Sequence, residues 1–289
     1  MPAIITDRFR IHNSEQFQEA FSETSGNTMY LGIGRPQAFA TATRGDARTD
    51  NEGSDTAPLT PADNRNAQSF PFDDLLAAKR ITSSDVTFAV PRRNWATGTT
   101  YDIYRHDYGE RITGTTTAQT SNSGVSTLFD ANFYVLTTAR NVYKVLDNNG
   151  NSASTVEPTG TATTVLTTGD GYKWKYMYTL SASQQANFLS TDFMAVATDS
   201  TVSSAAVDGA IDIVKIKTPG SGGADGTHTG IAIRGDGSNG QVSVTVTGGV
   251  VTAVTVTNAG TGYTFGTISN AQIVAAGATS LSGAELDVI

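Results

Sequence analysis

The chain has 289 residues, with 27 acids against 19 bases and a formal net charge of −8, a balance unsuited to gripping nucleic acid or an anionic bilayer surface. It contains no cysteine, which excludes disulfides and thiolate metal sites and gives no sign of an oxidising compartment. Hydrophobic residues make up 38% and there are 29 glycines, which favours short strands and many turns over a large helical core.

No basic stretch followed by an apolar core opens the chain, so no signal peptide is expected, and no apolar run of about 18 residues is available to span a bilayer. Ile4, Ile5 and Phe9 suggest a short opening strand, and Asn13 with Gln16 reads as a capping box for a helix that stacks Phe17, Ala20 and Phe21. Met29 to Gly34 reads as a buried strand ending at Arg35-Pro36. Gly32 and Gly34 form a bare G-x-G that lacks the third glycine of a dinucleotide-binding turn. From Ala40 to Gln68 the chain is polar and rich in turn formers, without calcium-loop spacing, and a solvated loop is expected.

Residues 71–81 predict a helix, with Asp73 and Asp74 in the first turn, Lys79 and Arg80 in the last, and Phe72, Leu75 and Leu76 on one face. Val86 to Val90 predicts a strand halted by Pro91. Arg92, Arg93 and Trp95 follow at once. Two guanidiniums beside an indole suit an anchor for a carboxylate-bearing partner, but they suit equally a core tryptophan with arginines paired inside the chain. Tyr101 and Tyr104 mix aromatic surface with charge, and His106 beside Asp107 is not expected to form a catalytic pair, because strand neighbours point to opposite faces and rarely orient one another. Phe133 to Leu136 and Asn141 to Leu146 predict a hairpin-like pair of strands, with Asp147 to Gly150 supplying turn chemistry.

The segment Asp170 to Leu180 dominates this half. It alternates strictly, placing Tyr172, Trp174, Tyr176 and Tyr178 on one face and Lys173, Lys175, Met177 and Thr179 on the other. Four aromatics can bury roughly 150–250 Å² each, so the expected reading is a core strand with a polar back face. A platform that stacks sugars or bases is the alternative. Ser181 with Gln184 then opens a helix.

At about Ala197 the bulky aromatics nearly vanish and Gly, Thr and Val take over. The segments 216–222 and 256–262 match at an offset of 40, and Gly248-Gly249 between valine-rich runs signals a hairpin. Two domains are expected, 1–197 and 198–289. The fold class expected is mainly β with a few short helices (α+β): a β-sandwich-like N-terminal domain and a small Gly/Thr-rich all-β C-terminal module, whose strand edges would need protection. His12, His106 and His228 are scattered without ligand spacing, and no metal or other cofactor is expected. The two Arg-Gly-Asp tripeptides, at Arg44 and Arg234, carry too little information to support adhesion.

Five segments, Ile5 to Arg10, Tyr30 to Pro36, Val90 to Trp95, Asn141 to Lys144 and Gly169 to Tyr176, resemble in order the dimeric baseplate wedge protein of T-even-like contractile-tailed bacteriophages. The resemblance covers roughly residues 1–196. Two features depart from it: the polar loop after Pro36 has no tryptophan, and the C-terminal module is unlike the T-even subunit. It implies a structural virion protein of the viral tail and no enzyme: a homodimer that holds neighbouring wedge proteins together, assembled in the host cytoplasm, with no nucleic acid, membrane or small-molecule substrate. Arg35, Arg92, Arg93, Trp95, Tyr101, Tyr104, Lys173 and Lys175 are the candidate protein-interface residues. A carbohydrate-binding tail or adhesin module and a hydrolase using dispersed carboxylates are the competing functions.

Overall fold

The computed structural model describes residues 7–23, 28–34, 75–105, 123–125 and 128–289. The chain divides into two compact units, Met1–Phe88 and Ala89–Ile289. The compositional change at Ala197 therefore falls inside the second unit, not between units.

In the first unit, helix α1 spans Asp7–Ala20 and strands β1 (Met29–Gly34) and β2 (Leu75–Ile81) pair antiparallel. Four expectations change here. Phe9 belongs to a helix instead of a strand, and Asn13 lies inside that helix rather than capping it; Ile4 and Ile5 lie outside the described residues. Phe17 and Phe21 do meet, edge to face at 5.0 Å, one turn apart as helix geometry requires. The segment Leu75–Ile81, read as helical, is a strand: Tyr30 pairs with Arg80 and Leu31 with Lys79, and a strand partner overrides the high intrinsic helix propensity of Leu-Leu-Ala-Ala-Lys-Arg. The start of that predicted helix, residues 71–74, the polar loop 40–68 and Arg35 lie outside the described residues. β1 is a strand as expected but not a buried one, with Tyr30 66% and Ile33 60% exposed.

The second unit contains a four-stranded antiparallel sheet in the order β4-β5-β7-β6, from β4 (Tyr134–Leu136), β5 (Asn141–Asp147), β6 (Leu166–Thr167) and β7 (Lys173–Thr179). A two-stranded ribbon, β3 (Ala89–Pro91) with β8 (Phe193–Ala195), lies at the ends of the segment. Pro91 ends β3, having no N–H to continue a ladder. The β4–β5 hairpin turns through Thr137 to Arg140, with Arg140 in the left-handed region at φ 66°; the Asp147 to Gly150 turn leads out of β5 instead.

The alternation of β7 is realised fully. Tyr172, Trp174 and Tyr176 are buried with Tyr101, Val135, Tyr143 and Val145, while Tyr178 joins Leu136, Val142, Leu180 and Met194 in an adjoining cluster. Tyr172 stacks on Trp174 at 5.3 Å, and Tyr101 meets Trp174 edge-on at 5.8 Å. The turn into β7 is held by Asp170, whose carboxylate accepts from Thr155 N–H (2.7 Å), Val156 N–H (3.0 Å), Ser154 Oγ (3.1 Å), Thr168 Oγ1 (2.5 Å) and Tyr172 N–H (3.3 Å). Burial opposes its charge, but the bonds from Thr168, Val156, Thr155 and Tyr172 outweigh it and bring the carboxyl down to about 2. Helix α2 (Ala182–Phe188) follows, with the expected Ser181–Gln184 capping box, and then α3 (Ser200–Ala205), capped by Asp199.

The remainder has its own aliphatic core of Ile211, Val214, Ile231, Ile233, Val242, Val244, Val246, Val251, Ile268 and Ile273. Its strands are β9 (Val214–Ser221), β10 (Gly226–Ala232), β11 (Arg234–Gly235), β12 (Gln241–Thr247), β13 (Val250–Asn258), β14 (Gly266–Thr267) and β15 (Ser282–Val288). They form a β10-β12-β13 sheet and the pairs β9–β15 and β11–β14. Gly248 and Gly249, at φ 63° and 77°, make the predicted β12–β13 hairpin turn. The module is not wholly β. Helix α4 (Asn270–Ala275) starts at a Ser269–Gln272 capping box and buries Ile273.

The repeat has a conformational basis. Gly220 and Gly260 share φ values of 68° and 65°, and Gly222 and Gly262 share 76° and 73°, so both copies place glycines in the left-handed region at matching positions, although Gly220 lies within β9 and Gly260 follows β13. In the second copy the turn is packed tightly. A Cβ on Gly260 would stand 2.6 Å from the Ser238 carbonyl and 2.7 Å from the Tyr263 ring. The Tyr263 hydroxyl donates to Ile233 O and accepts from Gly240 N–H, both at 3.1 Å.

Candidate functional site

The Val90 to Trp95 segment is tied down from several directions. Arg92 donates from Nη1 to Ser190 O at 2.8 Å and from Nε to Asn94 Oδ1 at 2.9 Å, and its N–H reaches Asp192 O. Arg93 donates to Asp130 O at 3.2 Å and lies 5.3 Å from the Tyr134 ring centroid; its buried Nε has no acceptor among the described residues. Trp95 packs against the aromatic core and donates Nε1–H to Ser154 Oγ at 3.1 Å. Tyr101 is 1% exposed, and its hydroxyl is bonded to both the N–H and the carbonyl of Ala96. Of the two readings of this segment, the internal one describes these contacts: the arginines bond carbonyls of the chain itself and the indole is part of the core.

The aromatic face of β7 offers no stacking surface, since Tyr172 and Trp174 are fully buried and Tyr176 and Tyr178 nearly so. The back face is different. Lys175 and Met177 on β7 and Lys144 on β5 line a cleft of about 590 Å³, closed on other sides by Val165, by Val202 and Val207 in and after α3, and by Ile211, Asp212 and Val256 of the C-terminal module. Lys175 donates to Asp212 at 2.6 Å. Lys144 Nζ sits 4.5 Å from the Tyr104 ring centroid and bonds no acceptor among the described residues. Burial pulls the Lys144 ammonium below the ordinary lysine value; Asp212 acts the other way and Lys175 adds to the depression. Lys173, on the same face of β7, is half-buried and lies in register opposite Asp147 and Thr167.

The cleft follows the seam between the two cores. Three ion pairs cross it: Lys175–Asp212, Lys215–Asp147 at 3.2 Å, and Arg105–Asp287, whose Arg105 side chain is 14% exposed. Of the predicted candidates, Lys175 and Tyr104 thus lie at this site, directly or through Lys144. Arg92, Arg93, Trp95 and Tyr101 lie elsewhere, in or around the aromatic core. Lys144 and Asp212 were not legible as site residues. Lys144 sits in an otherwise apolar strand, an available hint, whereas nothing local marks Asp212.

Several carboxylates outside the cleft are occupied by turns. Asp102 accepts from Ser123 N–H and Oγ and from Asn132 N–H, each at 2.8 Å; Asp199 accepts from Thr201 and Val202 N–H. Asp236 of the second Arg-Gly-Asp accepts from Thr264 N–H and Oγ1 and Phe265 N–H, which bring it down to about 2. His228 bonds Ala224 O at 3.0 Å, and among the described residues no three His, Asp or Glu side chains are grouped to hold a metal ion; His106 and Asp107 lie outside them. Compared with known proteins, the chain matches no family model and no curated protein.

Proposed function

We propose that this chain is a structural subunit of a bacteriophage tail baseplate wedge, a homodimer that joins neighbouring wedge proteins during assembly of the contractile tail in the host cytoplasm. The observation that carries this reading is the run of five segments, in order, that resembles the wedge family. Within one of them, Tyr30 to Pro36, strand β1 leaves Tyr30, Leu31 and Ile33 exposed, as Leu76 is on the paired strand β2, and exposed apolar side chains of this kind support a role in contacts with other chains. On this reading the protein is not an enzyme, needs no cofactor, and resides in the virion.

Light scattering on the purified chain and pull-down against baseplate wedge proteins of contractile-tailed phages test the proposal. A dimer that captures at least one of them is expected. A monomer indifferent to all of them overturns it.

A further inference from the structure

The cleft at the seam has a chemical character unlike the rest of this acidic chain. It gathers two ammonium groups, Lys144 and Lys175, and one carboxylate, Asp212. Lys175 and Asp212 satisfy each other at 2.6 Å. That leaves Lys144, a three-fold hydrogen-bond donor, with the face of Tyr104 at 4.5 Å and no acceptor among the described residues. A half-buried cation without an acceptor is costly in isolation, and one anion placed beside it balances the cleft's charge. A dianion such as phosphate would leave surplus negative charge next to Asp212. The walls are mostly aliphatic, with Val165, Met177, Val202, Val207, Ile211 and Val256, and Thr163 and Thr164 add two hydroxyls. A volume of about 590 Å³ is within the range of small-ligand sites.

We propose that this cleft is a binding site for a carboxylate carried on an aliphatic stem, with the Lys144 ammonium as its counter-ion. The stem lies along the valine and methionine walls, and the carboxylate accepts from Lys144 while the Lys175–Asp212 pair stays intact. A free aliphatic acid and a glutamate side chain of another polypeptide present this same chemistry. The inference stands independently of the assembly reading, since it concerns a ligand group and not a tail partner.

Calorimetric titration of the full chain at neutral pH with hexanoate, hexanol and hexylamine tests it, alongside Lys144→Met, which keeps the stem and removes the charge. Hexanoate is expected to bind at least about tenfold more tightly than hexanol, with no binding of hexylamine, and Lys144→Met is expected to bring hexanoate down to the level of hexanol. Equal binding of hexanoate and hexanol, no hexanoate binding, or undiminished binding by Lys144→Met overturns the proposal. Should that variant fail to fold, protection of Lys144 in the unaltered chain from reductive methylation, read by peptide mass spectrometry, decides: hexanoate must protect it and hexanol must not. A capped tripeptide with a central glutamate, compared with its glutamine counterpart, separates the sources. Tighter binding than hexanoate assigns the cleft to a polypeptide, and weaker binding to a free acid.

Discussion

The second unit contains two cores built from different materials. Residues 89–205 use tyrosine and tryptophan, and large rings are tied to neighbouring backbone by their polar tips: Tyr134 to Pro91 O at 2.7 Å, Tyr172 to Ser152 O at 2.5 Å, Tyr178 to Ala195 O at 3.0 Å. Residues 211–288 use valine and isoleucine, which have no polar tip, and rely on glycine turns and main-chain ladders. An aromatic core can hold long irregular connections because each ring buries much area and still donates one hydrogen bond. An aliphatic core in short strands needs tight turns instead, and it places its constraints on the backbone. The two should therefore fail in different ways.

The largest effect is expected for Trp174→Ala, which removes the centre of the aromatic cluster and should cost about 3–5 kcal/mol in denaturant unfolding. Hydrogen exchange should then show protection lost first in β5 and β7 while β12 and β13 keep theirs. Simultaneous loss would mean that the two cores form one cooperative unit. The counterpart in the aliphatic module is a backbone substitution. Gly260→Ala forces a Cβ to within 2.6 Å of a carbonyl oxygen at φ 65°, and should cost about 2–4 kcal/mol by thermal unfolding. Gly248→Ala, at a similar φ but facing open space, should cost only about 1 kcal/mol. If the two variants melt alike, close packing around the repeat turn is not what holds the module.

Alkaline titration separates the cores by chemistry. Burial, then the neighbouring Tyr134, pushes Tyr178 up to about 12 from 10.0. Between those values the unfolded chain ionises this phenol and the folded chain does not, so its contribution is intact below pH 10 and lost as pH rises toward 12. The loss should reach about 2–3 kcal/mol, and Tyr178→Phe should remove that part of the pH dependence. Burial also raises Tyr101, Tyr134, Tyr143, Tyr172 and Tyr176, all in the aromatic half. The smallest effect belongs to the seam. Lys215→Met should cost about 0.5–1 kcal/mol, less in 1 M salt, because the Lys215–Asp147 pair remains partly solvated.

Much of this architecture could be read from local pattern. The period-two aromatics of β7, the Ser181 and Asp170 turn chemistry, and the Gly248-Gly249 hairpin each involve residues close in the chain, and each formed as expected. The Ser269–Gln272 capping box that starts α4 is equally local, within a module whose composition otherwise points to strands. The segment 75–81 went the other way, because its apolar and charged spacing suits a helix while only pairing with β1 makes it a strand. The cleft was legible in one part only, Lys175 and Met177 on the back face of β7.

By itself the sequence determined that the aromatic face of β7 would be hidden, where several turns fall, and that composition changes near Ala197. Tertiary structure alone decided that the two cores lie in one compact unit, that ion pairs cross their seam, and that Lys144 meets Asp212 and Lys175 in one cleft. The physical reason is range. Periodicity and capping act over a few residues, whereas the environment of a charge depends on which distant strand closes over it.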